Sequence, residues 1–308
     1  NESTLPIAVA FDRPDIVCDR TPSPLGPRGI DLPAGSVVFP VGHAASLRVA
    51  YRPNPSGASI GPLSSLAGHE QLQRGWLASV ERAGYGVLPD KALPSIVNRL
   101  RSDALIYSAH DVEEWPSDLV GSGDDVALVI ALNQMTLLGE DVARHVETLA
   151  EATERILATH KRAETIPWDV ERALWCAQHL FVSLGEERAA RDVTKARNQL
   201  AEASAPPNVV PKDVRAVAWM EEMLVSPRRD GGVGILQHGI PQLWRGVNFD
   251  CHRIVASPEH TVSYGIRWHS ARPALLWEVG GPFGLRLSAG ATDPAWSTTD
   301  PSGDALLA

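Results

Sequence analysis

The chain has 308 residues, 44% of them hydrophobic and 21% charged, the balance of an ordinary globular protein that can bury a core. Its formal charge of −9 is spread along the sequence and argues against a nucleic-acid surface. No apolar run reaches the roughly 18 to 20 residues of a membrane helix, and three scattered cysteines, Cys18, Cys176 and Cys251, argue against a disulfide scaffold and for a reducing compartment, the cytoplasm.

Residues 1–62 are rich in proline and glycine. Pro22, Pro24, Pro27 and Pro33 exclude a long helix, and Ile7 to Phe11, Ser36 to Phe39 and Ser46 to Tyr51 read as short strands. The run Tyr51-Arg52-Pro53-Asn54-Pro55-Ser56-Gly57 reads as a linker out of this β-segment.

From Ser64 the period changes to that of a helix. Leu72, Trp76, Leu77 and Val80 share one face, with Ser64 or Ser65 as the cap and Gly84 and Gly86 as the stop. Asp90 caps a second helix with Leu93, Ile96, Val97, Leu100 and Ala104 as its stripe, and Pro94 is harmless in the first turn. A third helix opens at Ser122-Gly123-Asp124-Asp125, where Ser122 and Asp125 are spaced as a variant capping box. It is apolar on most sides and stops at Gly139. The next carries Val142, Val146, Leu149, Thr153, Ile156 and Leu157 on one face, with polar residues opposite. Pro167 starts another, ended by Gly185, and a polar helix follows over Arg188 to Ala203. A last one begins at Pro211. About seven helices joined by short loops imply antiparallel hairpins, and the alternation of strongly and weakly apolar helices suggests inner and outer rows.

After the turn Pro227 to Gly232 the period becomes two. In Thr261 to His269, Val262, Tyr264, Ile266 and Trp268 face one way and Thr261, Ser263, Arg267 and His269 the other. Asn248 to Val255 alternates similarly, Pro258-Glu259 makes the hairpin between them, and Ala274 to Val279 is a further short strand beyond the break at Arg272-Pro273. The expected fold is therefore α+β and multidomain: an N-terminal β-segment (1–62), helical hairpins (63–226) and a C-terminal antiparallel, sandwich-like β-domain (227–308).

This order of segments resembles the six-hairpin glycosidases, the α/α toroids of glucoamylase-like, debranching-like and rhamnosidase-like enzymes. Gly123-Asp124-Asp125-Val126-Ala127 is similar to the start of a toroid inner helix. Pro167-Trp168-Asp169 with Ala173-Leu174-Trp175 and Leu184-Gly185-Glu186 resembles an inner-to-outer helix turn, and Gly239-Ile240-Pro241 with Trp244 resembles the entry into the following β-domain. Seven helices stand where a complete toroid has twelve, and Asp124-Asp125 stands where the family has an Arg-Asp pair, so the likeness is to a shortened, partial toroid.

The resemblance implies a carbohydrate-active protein. Glycoside hydrolysis needs one protonated and one ionised carboxyl group flanking the scissile bond. Asp125 and Asp169, at corresponding ends of two presumed inner helices, are the expected catalytic pair; Trp115, Trp168 and Glu114 are expected to bind the sugar. Aspartate at a helix start also serves as a cap, and most tryptophans are core residues. A non-catalytic relative that binds a glycan or a protein is therefore the alternative to a hydrolase. His110, Asp111, Glu113 and Glu114 carry ligand-type atoms but read as a solvated loop. No zinc-protease, phosphate-loop or nucleophile-elbow motif is present. No metal or cofactor is expected. The expected partners are a carbohydrate and a protein partner or second copy of the chain, with no nucleic acid and no membrane.

Overall fold

The computed structural model describes residues 1–13, 15–24, 29–51 and 62–308. It is a mixed helix-and-sheet chain that divides into two compact units, Asn1–Gly75 and Trp76–Ala308. The expected linker at 52–57 lies outside the described residues.

In the first unit β1 (Ile7–Phe11) pairs antiparallel with β3 (Val37–Val41), and β2 (Val17–Cys18) with β4 (Val49–Ala50). Val38, Phe39 and Val41 are buried, and Phe11 meets Phe39 edge-on at 6.1 Å. The run Ser46 to Tyr51 yields only two strand residues, because Arg48 spends its backbone N–H on the Asp19 carboxylate and its guanidinium on the carbonyls of Leu66 and Ala67. Helix α1 (His69–Val80) starts later than Ser64 suggests, since Leu63–Ser65 closes into a 3₁₀ turn. Of its apolar stripe only Val80 is buried; Leu72, Trp76 and Leu77 stay exposed.

In the second unit the chain forms β5 (Tyr85–Val87), then α2 (Ala92–Tyr107), α3 (Asp125–Leu138), α4 (Val146–His160), α5 (Trp168–Ser183), α6 (Glu187–Arg197) and α7 (Arg215–Leu224). Strands follow: β6 (Val225–Pro227), β7 (Val233–Ile235), β8 (Phe249–Ser257), β9 (His260–His269), β10 (Arg272–Gly280), β11 (Leu287–Ala289), β12 (Asp293–Thr298) and β13 (Ser302–Leu306).

The helix starts show why these boundaries hold. Asp90 accepts from the N–H groups of Ala92 and Leu93. Asp124, rather than Ser122, caps α3, its Oδ1 taking the Ala127 N–H at 3.0 Å, and Asp125 becomes the first helical residue. Asp213 takes the Arg215 N–H, so α7 begins four residues past Pro211. Helix α6 stops at Arg197, short of Ala203, as the following extended segment pairs with Ile166, whose N–H donates to the Glu202 carbonyl and whose carbonyl accepts from the Ser204 N–H.

Helices α3 and α5 are buried along most of their length and pack on one another, with α4 and α6 against them. Their side chains make one core. A second core joins α2 (Leu93, Val97, Leu100) and α7 (Val217, Met220, Leu224) to the sheets through Phe249, Ile254, Val262, Tyr264, Ile266 and Leu275. Trp168 packs against both cores.

The larger sheet has the order β13-β10-β9-β8-β5, all antiparallel. Its central hairpin turns at Pro258-Glu259, and Val262, Tyr264 and Ile266 are buried together as their spacing requires. Strand β10 is longer than Ala274 to Val279: Ser270-Ala271 makes the turn, and Arg272 and Pro273 already pair with His269 and Trp268. The smaller sheet, β12-β11-β7-β6, is antiparallel except that β7 and β11 run parallel, a departure from the purely antiparallel expectation. No described helix is long and apolar enough to cross a membrane.

Candidate functional site

Helix α5 carries a polar and aromatic stripe. Trp168, Glu171, Arg172, Trp175 and His179 fall at positions i, i+3, i+4, i+7 and i+11, one face of a helix. The first four border a cavity of about 510 Å³, closed by the segment after α6, the end of α7 and the turn after β6. Glu222 and Ser226 come from the α7–β6 corner, Arg228 and Asp230 from the turn, and Gln237 and His238 from the loop after β7.

Behind the cavity lies a buried ionic network. Glu221 Oε1 accepts from Arg101 Nη2 at 3.1 Å and from Gln134 Nε2 at 2.9 Å; Glu221 Oε2 accepts from Arg172 Nη2 at 2.7 Å. Arg101 also donates to the carbonyls of Val80, Ala83 and Gly84, which fixes the turn before β5. Burial pulls the Arg101 guanidinium below its ordinary pKa, and Glu221 works against that pull. Arg172 is buried as deeply, but Glu221 and Glu222 outweigh its desolvation and hold it above its ordinary value. Its guanidinium lies over the Trp175 ring at 4.2 Å, and the ring also stacks on His179 at 5.7 Å.

At the cavity wall Glu222 Oε1 accepts from Ser226 Oγ and stands 3.2 Å from His238 Nε2. Its other oxygen is 3.7 Å from Arg172 Nη1, beyond hydrogen-bonding distance. Glu171 is gripped by Arg197 at 2.7 Å and by Arg229 at 2.7 Å, and these guanidinium groups hold its carboxyl below the usual range although burial pushes the other way.

The residues singled out in the sequence fall in four places. Trp168 is on the cavity wall. Asp169, the next residue, turns away and binds Arg215 Nε at 2.8 Å; the same guanidinium takes Asp124 at 2.7 Å and Asp213 at 2.7 Å. Asp125 makes a two-pronged pair with Arg155, at 2.9 and 2.8 Å. Asp125 and Trp115 both border a different cavity, of about 520 Å³, together with Glu113 and Ser122. Trp115 itself is buried, with its N–H on the His110 carbonyl and its ring edge-on to His145. Glu114 is exposed on the 3₁₀ turn Val112–Glu114. Thus Asp125 and Trp115 are brought together, Asp169 borders neither cavity, and each aspartate is engaged by an arginine.

Arg172, Trp175, Glu222 and His238 were not foreseen as a group. The signal for the first two was present: a helical stripe that should be apolar carries Glu171 and Arg172 between two tryptophans. Glu222 and His238 come together only through the α7–β6 corner and the smaller sheet, which no local pattern encodes. Among the described residues no group of three or more His, Cys, Asp or Glu side chains could hold a metal ion. Compared with protein-family models, with curated proteins and with solved structures, the chain matches none.

Proposed function

We propose that this is a carbohydrate-active protein whose glycan occupies the cavity along α5, and that it binds the glycan rather than cleaving it through Asp125 and Asp169. The observation that carries this reading is the cavity itself. Trp168 is half-buried on its wall, a flat apolar surface for a sugar ring, beside the hydrogen-bonding groups of Glu222, Ser226 and His238. Its volume is that of a site for one or two sugar rings.

The non-catalytic form of the reading is favoured by the two aspartates. A glycosidase pair must face a common space, one carboxyl to give a proton and one to assist attack. Asp125 instead forks onto Arg155, and Asp169 shares Arg215 with Asp124 and Asp213. These are the pairings of helix starts, where carboxylates also favour the positive end of the helix dipole.

The partial-toroid arrangement belongs to the same proposal. It is supported by the two hairpins α3–α4 and α5–α6, in which α3 and α5 form the inner pair and α4 and α6 each bury a single stripe.

The test is an oligosaccharide binding screen by calorimetry with Trp168→Ala and the double variant Asp125→Asn/Asp169→Asn, alongside a reducing-sugar assay. Binding that is lost in Trp168→Ala and kept in the double variant, with no sugar released, is the expected result. Sugar release by the wild type that stops in the double variant would overturn it, as would binding indifferent to Trp168.

A further inference from the structure

We propose that the sugar held in this cavity is an acidic one, recognised through its carboxylate by the arginines that border the site. The inference rests on the glycan reading above and adds the chemical class of the ligand.

The chain as a whole carries a formal charge of −9, yet four guanidinium groups, those of Arg172, Arg197, Arg228 and Arg229, border this one cavity. Their hydrogen-bonded carboxylate partners are each shared with a second arginine, although with Glu202 and Glu222 the cavity lining holds four carboxylates against four arginines. Glu171 serves both Arg197 and Arg229, Asp230 serves both Arg228 and Arg286, and Glu221 serves both Arg172 and Arg101. Each carboxylate thus answers two arginines. Two further carboxylates border the cavity. Glu202 is exposed and acts electrostatically on Arg229. Glu222 commits one oxygen to Ser226 and His238.

The sharpest sign is Arg172. Its side chain is 2% exposed, and only one of its three nitrogens has a hydrogen-bond partner; Nε and Nη1 are buried without one. Buried guanidinium donors are nearly always satisfied, and two unpartnered ones on a residue that borders a cavity point to a ligand oxygen there. Glu222 stands 3.7 Å from Nη1 and does not close the gap. A sugar acid supplies a carboxylate to accept from Arg172 and a ring that can lie on Trp168; a bare anion supplies only the first. Small adjustments of Glu222 would admit the carboxylate to Arg172, while Arg228, 42% exposed and held to Asp230 only by a 3.5 Å ion pair, can swing to meet it from the turn.

The experiment measures calorimetric binding of short galacturonate, glucuronate and mannuronate oligosaccharides. Each is paired with its methyl ester, which keeps the sugar and removes the charge, and inorganic phosphate is the third probe. At least one acid is expected to bind about tenfold more tightly than its ester, the difference a charge-assisted hydrogen bond makes, and the gap should narrow as salt rises. Arg228→Met, on an exposed turn where folding is not at risk, should shrink the acid-over-ester preference, and Arg172→Lys should shrink it more strongly. Equal binding of acid and ester would overturn the acidic-sugar inference and leave the glycan reading standing. Phosphate binding with no sugar bound, or no binding of any probe or neutral glycan, would overturn both.

Discussion

Glu221 and Arg101 meet at 3.1 Å with their side chains 3% and 0% exposed, and Arg172 holds the other oxygen of the same carboxylate. Two buried cations thus depend on one anion. Removing that anion leaves uncompensated charge in a low-dielectric interior, at a cost of about 3–5 kcal/mol. Glu221→Gln is expected to lose that much stability in urea denaturation. Arg101→Met combined with Glu221→Leu should lose clearly less than the sum of the two single changes, because Arg101 is then no longer stranded and only Arg172 is left without Glu221. Additive losses would show that the pair is not coupled.

His179 gives the fold an acid sensitivity. Burial first, and the nearby Arg172 second, lower its pKa from 6.5 to about 4. Its Nδ1 lies 2.9 Å from Asn133 Oδ1, in keeping with a neutral ring. The unfolded chain therefore takes up a proton near pH 6.5 that the folded chain refuses until about pH 4. This contribution is complete above pH 6.5 and is lost as pH falls toward 4. Between pH 7.5 and pH 5 the loss from this group is about 2 kcal/mol. Urea titrations at the two pH values should show His179→Gln losing less stability over that interval than the wild type by about this amount. Parallel pH profiles would remove His179 as the cause.

The thiols should divide by environment. Cys176 and Cys251 are buried, and desolvation pushes both up to about 12. Cys18 is only half-buried, on β2. A disulfide reagent at pH 8 is expected to modify one thiol per folded chain quickly and all three after denaturation. Rapid modification of two or three thiols in the native protein would contradict the burial of the other two.

Gly84 and Gly123 both have positive φ, +83° and +70°, but differ in their surroundings. A Cβ at Gly123 meets nothing, whereas one at Gly84 would fall 2.5 Å from the Arg253 carbonyl oxygen. Gly123→Ala should cost about 1 kcal/mol of left-handed strain. Gly84→Ala should cost that and roughly 1–3 kcal/mol more from the clash, as it pushes the turn before β5 off β8. Equal melting temperatures for the two variants would refute the close approach.

The parts of this chain that local periodicity governs were legible from its residues. Seven helices, the β8–β9 hairpin and the caps at Asp90 and Gly139 follow from apolar spacing and from single polar residues at element ends. What failed were the places where a distant partner decides. Arg48 interrupts a readable strand by reaching Asp19, and Asp213 delays α7. Asp125 and Asp169 have the chemistry of an acid pair and the positions of one, but Arg155 and Arg215, thirty and forty-six residues away, claim them. The cavity was legible by half: Trp168 stood out as an aromatic at a helix start, whereas Glu222 and His238 are adjacent only because β6 and β7 fold back on one another.

Strand β5 sits on the outer edge of a sheet whose other four members all lie beyond residue 248. Gly86 faces Cys251, about 165 positions later. At a ribosomal pace of about 5–20 residues per second, the segment emerges roughly 10–30 s before the strand it must zip onto exists. Throughout that interval Leu88, Leu93 and Val97 have no sheet to cover them, so the nascent chain offers a greasy surface for a trigger-type holdase, and a synonymous change that slows translation between α7 and β8 should raise the insoluble fraction without altering a single amino acid.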